Sequence, residues 1–175
     1  EYEYGFLYGG LFAVGYCRFI HHLAQSRSFQ KLFFFSRDGA VLYKAYQKMY
    51  PEEKETISYA YWSRQMACKI TACLFPREYF HRFLFHKADG SISIQSALES
   101  MELSPLTHPL CQKTELDPRQ KLTHKNMDTV KSYLQAHWDE VLSLYRPQIE
   151  GAKRYYSHLL KDSTRVGAVD IGWMG

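Results

Sequence analysis

The sequence predicts an α/β fold built on a parallel sheet, and three observations carry the prediction. Residues 31–35 are a short apolar run of the kind that forms a strand buried on both faces, residues 165–170 read as a further apolar strand, and Ile57–Trp62 is rich in β-branched and aromatic residues. Helix-period segments separate these runs, and strands that alternate with helices pair in parallel. The first and third runs each pass into a polar, glycine-bearing loop: Ser36-Arg37-Asp38-Gly39 and Asp170-Ile171-Gly172-Trp173-Met174-Gly175. In open α/β sheets, ligands bind beyond the carboxyl ends of the strands, where such loops stand.

In chain order, residues 6–25 read as a helix, with Leu7, Leu11, Val14, Phe19 and Leu23 near helical spacing as its apolar face. Gly9, Gly10 and Gly15 lower its propensity and permit a close-packed neighbour. After the first strand, residues 40–49 read as a helix with Val41, Leu42, Ala45 and Met49 on one side. Pro51 and Glu52-Glu53-Lys54-Glu55 read as a solvated connection to the second strand. Residues 65–74 read as helical, and Pro76, suited to a first helical turn, opens another helix to about Phe85. Ala88-Asp89-Gly90 marks a turn and Ile94–Met101 a short helix. Three prolines, Pro105, Pro109 and Pro118, make 102–120 read as a loop. Met127, Val130, Leu134, Trp138, Val141 and Leu142 keep a helical period over 123–144, and Pro147 is expected to end that helix and begin the next, 148–160. The third strand follows. The expected architecture is a single Rossmann-like domain, its sheet mostly parallel, with residues 65–160 a helical insertion between the second and third strands. Only three strands are visible and the first residue is not Met, so the chain is expected to be processed or part of a longer protein.

Composition narrows the function classes. The chain has 175 residues, enough for a real core, with 46% hydrophobic and 23% charged residues. Aromatics reach 16%, which favours a packed core or aromatic-lined pockets over disorder. A net charge of +4 without a run of five basic residues does not point to nucleic acid. No stretch of 18 apolar residues is present to span a bilayer, and the opening segment lacks the basic region and cleavage site of a signal peptide. Cys17, Cys68, Cys73 and Cys111 form no Cys-x-x-Cys, so free thiols in a reducing cytoplasm are expected. The histidines show no metal-ligand spacing, and neither a Gly-x-Ser-x-Gly elbow nor a Walker A loop occurs.

The chemistry concentrates in the strand-end loops. A helix beginning at Gly39 aims its free N–H groups and positive dipole end at the space beyond the first strand. Arg37 suits bidentate grip of a phosphate, and Asp38 suits a base, a metal ligand or an acceptor from a sugar hydroxyl. The same residues also fit a simpler arrangement, with Asp38 capping the helix and Arg37 paired to it at the surface. Asp170, Gly172 and Gly175 resemble loops that wrap phosphates with backbone N–H groups, and loosely the loop of phosphoribosyltransferases. A tight turn with a hydrogen-bonded Asp170 is the alternative, and Trp173 fits either a stacking platform or a core position. Ser63 and Arg64 stand after the second strand as Ser36 and Arg37 stand after the first.

The first loop also resembles the haloacid-dehalogenase motif, an apolar strand followed by Asp-x-Asp-Gly-Thr. Ser36 occupies the place of the nucleophilic Asp, and a hydroxyl there cannot form the aspartyl-phosphate that chemistry requires. Taken in order, Tyr4-Gly5-Phe6-Leu7-Tyr8-Gly9-Gly10, Arg37-Asp38-Gly39, Tyr61-Trp62-Ser63-Arg64 and Val169-Asp170-Ile171-Gly172-Trp173-Met174-Gly175 resemble a bacterial family. It is the region that follows the hydrolase domain in predicted haloacid-dehalogenase (HAD)-superfamily hydrolases associated with surface-polysaccharide biosynthesis and glycosyltransferases. The resemblance implies that Arg37, Asp38, Ser63, Arg64, Asp170, Gly172 and Trp173 fall on recurrent motifs. It leaves residues 66–160 unmatched.

Two functions are expected from this reading. In the first, the domain binds a phosphorylated small molecule, a phosphosugar or nucleotide, for phosphoryl or glycosyl transfer or hydrolysis. Asp38 and Asp170 then act as catalytic carboxylates and ligands for Mg²⁺, while Ser36, Arg37, Gly39, Ser63, Arg64, Gly172 and Trp173 hold the ligand. In the second, it is a non-catalytic companion that docks an attached hydrolase or glycosyltransferase, using its aromatic residues and glycine-rich first helix.

Overall fold

The structure, a computed structural model, describes residues 1–171. The loop residues Gly172 and Trp173 lie outside the described residues. The chain is mixed α/β and divides into two compact units, one made of Glu1–Ser63 with the chain from Arg154 onward and one of Arg64–Lys153.

In the first unit a helical run from Tyr2 passes through a π-helical segment, Gly5–Gly10, into α1, Leu11–Arg27. β1, Lys31–Phe35, follows, then α2, Gly39–Met49, a 3₁₀ segment Pro51–Thr56, and β2, Ile57–Ala60. β5, Val166–Val169, completes a three-stranded sheet in the order β2-β1-β5, with β1 parallel to both neighbours. The central place of β1 explains its sequence: Leu32, Phe33 and Phe34 are all buried, as a strand covered on both faces requires. Cys17, Ile20 and Ala24 of α1 pack with Leu32, Phe34, Leu42, Tyr46, Ile57 and Val169 in one core.

That core corrects the expected face of the first helix. The buried seam is Cys17, Ile20 and Ala24, whereas Leu7, Leu11, Val14, Phe19 and Leu23 are exposed, Leu11 by 73%. The helix is apolar on more than one face, so spacing alone did not select the side that meets the sheet. Nor do its glycines seat a neighbour: a Cβ added at Gly5, Gly9 or Gly15 would meet nothing within 4 Å.

The run Glu52–Glu55 is also more than a solvated connection. Glu53 accepts from the Tyr46 hydroxyl at 2.5 Å and from Gln25 at 3.1 Å, and His21 Nδ1 lies 3.0 Å from its carboxylate. Tyr46 is fully buried, and burial followed by the Glu53 hydrogen bond raises its phenol pKa. Glu53 thus fastens the 3₁₀ segment to α1 and α2.

The second unit holds α3, Arg64–Ile70; α4, Pro76–Phe83; β3, Asp89–Ser93; α5, Ile94–Ser100; α6, Ser104–Thr114; β4, Lys121–Thr123; and α7, Met127–Ala136. α8, Trp138–Leu160, begins here and carries the chain into the first unit. Two expectations are overturned. The proline-rich stretch 102–120 contains α6: Pro105 sits in its first turn, where no N–H is needed, and Leu103, Leu106 and Leu110 bury at helical spacing despite Pro109 inside the helix. The helix expected over 123–144 breaks at His137 rather than at Pro147. His137 stacks on Tyr133 at 4.1 Å, and its N–H donates to the Tyr133 carbonyl at 3.1 Å, closing α7. Pro147 lies inside α8, between buried Val141 and Tyr145 and the helix end.

Gly90, read as a turn, adopts a left-handed φ of 80° within β3, which pairs antiparallel with β4 around a bulge. Tyr79, Phe83, Ile94, Leu98, Leu110, Leu122, Leu134 and Tyr145 fill this unit's core. Three buried polar groups are partnered within it: the Tyr79 and Tyr145 hydroxyls meet at 2.7 Å, and Lys69 Nζ lies 2.6 Å from Glu102.

Candidate functional site

Because β2, β1 and β5 run the same way, their carboxyl ends share one edge of the first-unit sheet. The pairs Phe35↔Ala60 and Phe34↔Val169 bring those ends nearly level. The middle strand delivers Ser36, Arg37 and Asp38; β2 delivers Tyr61, Trp62 and Ser63; β5 delivers Asp170.

Ser36 ties the first two of these ends together. Its hydroxyl accepts from the Trp62 N–H and donates to the Trp62 carbonyl, both at 2.7 Å, while its own N–H donates to the Ala60 carbonyl at 2.9 Å. The hydroxyl is therefore engaged in holding the turn. Gly39 is likewise engaged inward. A Cβ there would come within 3.0 Å of the Phe34 carbonyl carbon, so the close approach that glycine permits is that of α2 to β1.

Arg37 and Asp38 behave differently. Both are exposed, and Asp38 occupies the N-cap position of α2 without making a side-chain cap hydrogen bond. Among the described residues neither side chain has a hydrogen bond or an ion pair, so the capped, surface-paired arrangement is not the one adopted. Asp170 is held through its backbone, its carbonyl accepting from the Tyr16 hydroxyl at 3.0 Å, and its exposed carboxylate has no partner among the described residues. Ser63 is the last residue of this stretch of the first unit. Arg64 opens α3 and belongs to the second unit.

The edge also contains residues that the sequence reading did not single out. Trp62 stacks on Phe35, with ring centroids 5.2 Å apart and planes 14° from parallel. Two tyrosines at the end of α8 hold the backbone of Tyr61: its N–H donates to the Tyr155 hydroxyl at 2.9 Å, and its carbonyl accepts from the Tyr156 hydroxyl at 2.6 Å. Burial, with Tyr155 alongside, pushes the Tyr156 phenol up to about 12, so its proton stays in place for this bond at neutral pH. The adjacent pair Tyr155-Tyr156, at the end of a polar helix, was the available signal in the sequence.

An open cleft of about 580 Å³ lies elsewhere, against Val166 at the amino end of β5, where Arg27, Arg165 and Thr164 stand beside Leu23 and Phe29. It lacks the strand-end carboxylates and the helix N-terminus that the opposite edge offers together, so we place the candidate site at the carboxyl edge. Among the described residues no group of three or more histidines, cysteines or carboxylates is arranged to hold a metal ion, and no helix is long and apolar enough to cross a membrane. Comparison with protein families, curated proteins and solved structures finds no match.

Proposed function

We propose that the first unit is a Rossmann-like ligand-binding fold, interrupted after its second strand by the 65–160 insertion, that takes a phosphorylated small molecule at its carboxyl edge. One observation carries the reading. Arg37 and Asp38 stand at the end of the central strand and the start of α2, exposed and without side-chain partners among the described residues. A guanidinium and a helix N-terminus suit a phosphate, and a nearby carboxylate suits proton transfer to or from the group attached to it. Asp170, on the neighbouring strand end, supplies the second carboxylate.

Mg²⁺ keeps most of its water and needs only one or two carboxylates beside a substrate phosphate. Asp38 and Asp170 fit that donor set and would hold the ion, which when bound supplies charge neutralisation for the phosphate. Ser36 does not replace a nucleophilic carboxylate, so an aspartyl-phosphate at that position is not part of the proposal. Phosphoryl or glycosyl transfer or hydrolysis, in the company of a HAD-superfamily hydrolase domain of polysaccharide biosynthesis, is the reaction context we propose. The four free cysteines suit a cytoplasmic setting.

The test is a thermal-shift screen of phosphosugars and nucleotides with and without Mg²⁺, repeated on Asp38→Ala. A Mg²⁺-dependent rise in Tm that the variant loses is expected; a variant that keeps the full response defeats the reading.

The companion-domain reading has its own observation. Tyr2, Tyr4, Phe6, Leu7, Tyr8, Leu11 and Phe12 are all exposed along the first helical run, an apolar surface of the kind that docks another protein. Partner capture that survives Asp38→Ala but fails in a Phe6→Ser/Leu11→Ser double variant would favour it.

A further inference from the structure

Tyr61 combines an exposed ring with a fixed backbone. Its side chain is 67% exposed, although aromatic residues are generally drawn into cores. Its main chain is held at both ends by the Tyr155 and Tyr156 hydroxyls. The residues on either side are held as well, Ala60 by the Ser36 N–H and Trp62 by both hydrogen bonds of the Ser36 hydroxyl. Tyr59 meets the ring edge-on at 5.7 Å, and Tyr155 lies tilted to it at 6.3 Å. Neither contact is a parallel stack, so among the described residues a π-face of Tyr61 is left uncovered. The ring follows Ala60, which pairs with Phe35 one residue before the Ser36–Asp38 turn.

We infer that Tyr61 is the stacking platform for a ring carried by the ligand, and hence that the ligand is a phosphate ester of a nucleoside or a sugar rather than a small acyclic phosphate. The inference rests on the phosphate-site reading and adds the recognition of the ligand's other end. The physical case is preorganisation. A free tyrosine loses rotamer and backbone freedom when a ring settles on it, and a tyrosine whose backbone is already fixed loses less. An aromatic face accepts any nucleobase, and the apolar face of a sugar ring as well, without specific hydrogen bonds. Both hydrogen bonds engage the Tyr61 backbone, and among the described residues its hydroxyl has no partner and is available to the rim of such a ring.

The full chain is titrated by calorimetry, in the presence of Mg²⁺, with uridine 5′-monophosphate, glucose 1-phosphate and inorganic phosphate, in parallel with Tyr61→Ala, Tyr61→Phe and Arg37→Ala. Expected is ring-bearing ester affinity roughly tenfold above that of inorganic phosphate, lost in Tyr61→Ala and kept in Tyr61→Phe. Which ester shows the gain tells a nucleobase from a sugar. Arg37→Ala is expected to weaken all three probes alike. Equal affinity for all three, unchanged by Tyr61→Ala but weakened by Arg37→Ala, overturns the platform and leaves the phosphate site standing. No binding of any probe, or binding indifferent to Arg37→Ala, overturns both. Tyr61→Phe keeps the ring, and its circular-dichroism melt separates a folding defect from a binding one.

Discussion

The two compact units bury their apolar residues in opposite ways. The unit at Arg64–Lys153 draws Leu98, Leu110, Leu122 and Leu134 from four different helices and strands, with Leu84 and Leu103 from the helix ends, into one core that leaves each at most 1% exposed. The α/β unit closes its core around Phe34 and Tyr46 but leaves an apolar helix face exposed and three strand-end side chains, Arg37, Asp38 and Asp170, without a partner among the described residues. Surfaces without internal partners are where a protein meets other molecules. On the proposed reading, Arg64–Lys153 contributes a packed core, and recognition falls to the α/β unit that leaves these surfaces open.

The sharpest way to break that contrast compares one residue type in both places. Leu110→Ala is expected to cost about 2–5 kcal/mol, because a buried side chain leaves a cavity. Leu11→Ala is expected to stay within about 0.5 kcal/mol, because its side chain already faces water. Urea melts of the two variants decide it, and equal losses would mean that the exposed helix face is buried in solution.

A smaller effect probes the polar hinge of the α/β core. Glu53→Ala removes the acceptor of the buried Tyr46 hydroxyl, with a loss of roughly 1–3 kcal/mol expected. A neutral melt would show that Tyr46 finds another acceptor, His21 Nδ1 at 3.4 Å being the one within reach.

The smallest effect is one the two units share. Tyr46 and Tyr156 in one, and Tyr79 and Tyr145 in the other, all hold their protons above the ordinary phenol range because burial disfavours the phenolate. In the unfolded chain these groups ionise near about pH 10. Below that pH both states are protonated and the contribution is fully present. Above it only the unfolded state releases protons, so stability falls as pH rises, for Tyr156 until its folded value of about 12 is passed. Cys17 and Cys68, whose thiols burial also raises, begin to ionise in the unfolded chain near about pH 8.5, so Tm should start to decline there and fall more steeply above about pH 10 as the tyrosines join. A flat profile to pH 11 would contradict the burial of these hydroxyls.

Parts of this contrast were legible in the sequence and parts were not. β1 announced itself because a strand covered on both faces must be apolar throughout; β5, an edge strand with Val166 and Ala168 exposed, was legible only as a short apolar run, and the Ser36–Gly39 and Asp170 loops follow the two strands at the carboxyl edge. The face of α1 was not legible, because that helix carries apolar residues on more than one side and only the sheet chooses among them. α6 hid behind Pro105 and Pro109, residues tolerated there because one sits in the first turn and the other lies between buried Leu106 and Leu110. β4, three residues long, has no period to detect. Of the site itself, residue types pointed to Arg37 and Asp38. They could not tell that Ser36 and Gly39 spend themselves on the fold, or that Tyr155 and Tyr156, over ninety residues along the chain, fix Tyr61.

The central claim, that ligand recognition belongs to the carboxyl edge of the α/β sheet, is tested most directly by an amide NMR titration of the full chain with inorganic phosphate. The account predicts that the perturbed amides are those of Arg37 to Ala40, Tyr61 to Ser63 and Asp170. Perturbation centred instead on Arg27, Thr164 and Arg165 at the amino end of β5, or confined to Arg64–Lys153, would contradict it.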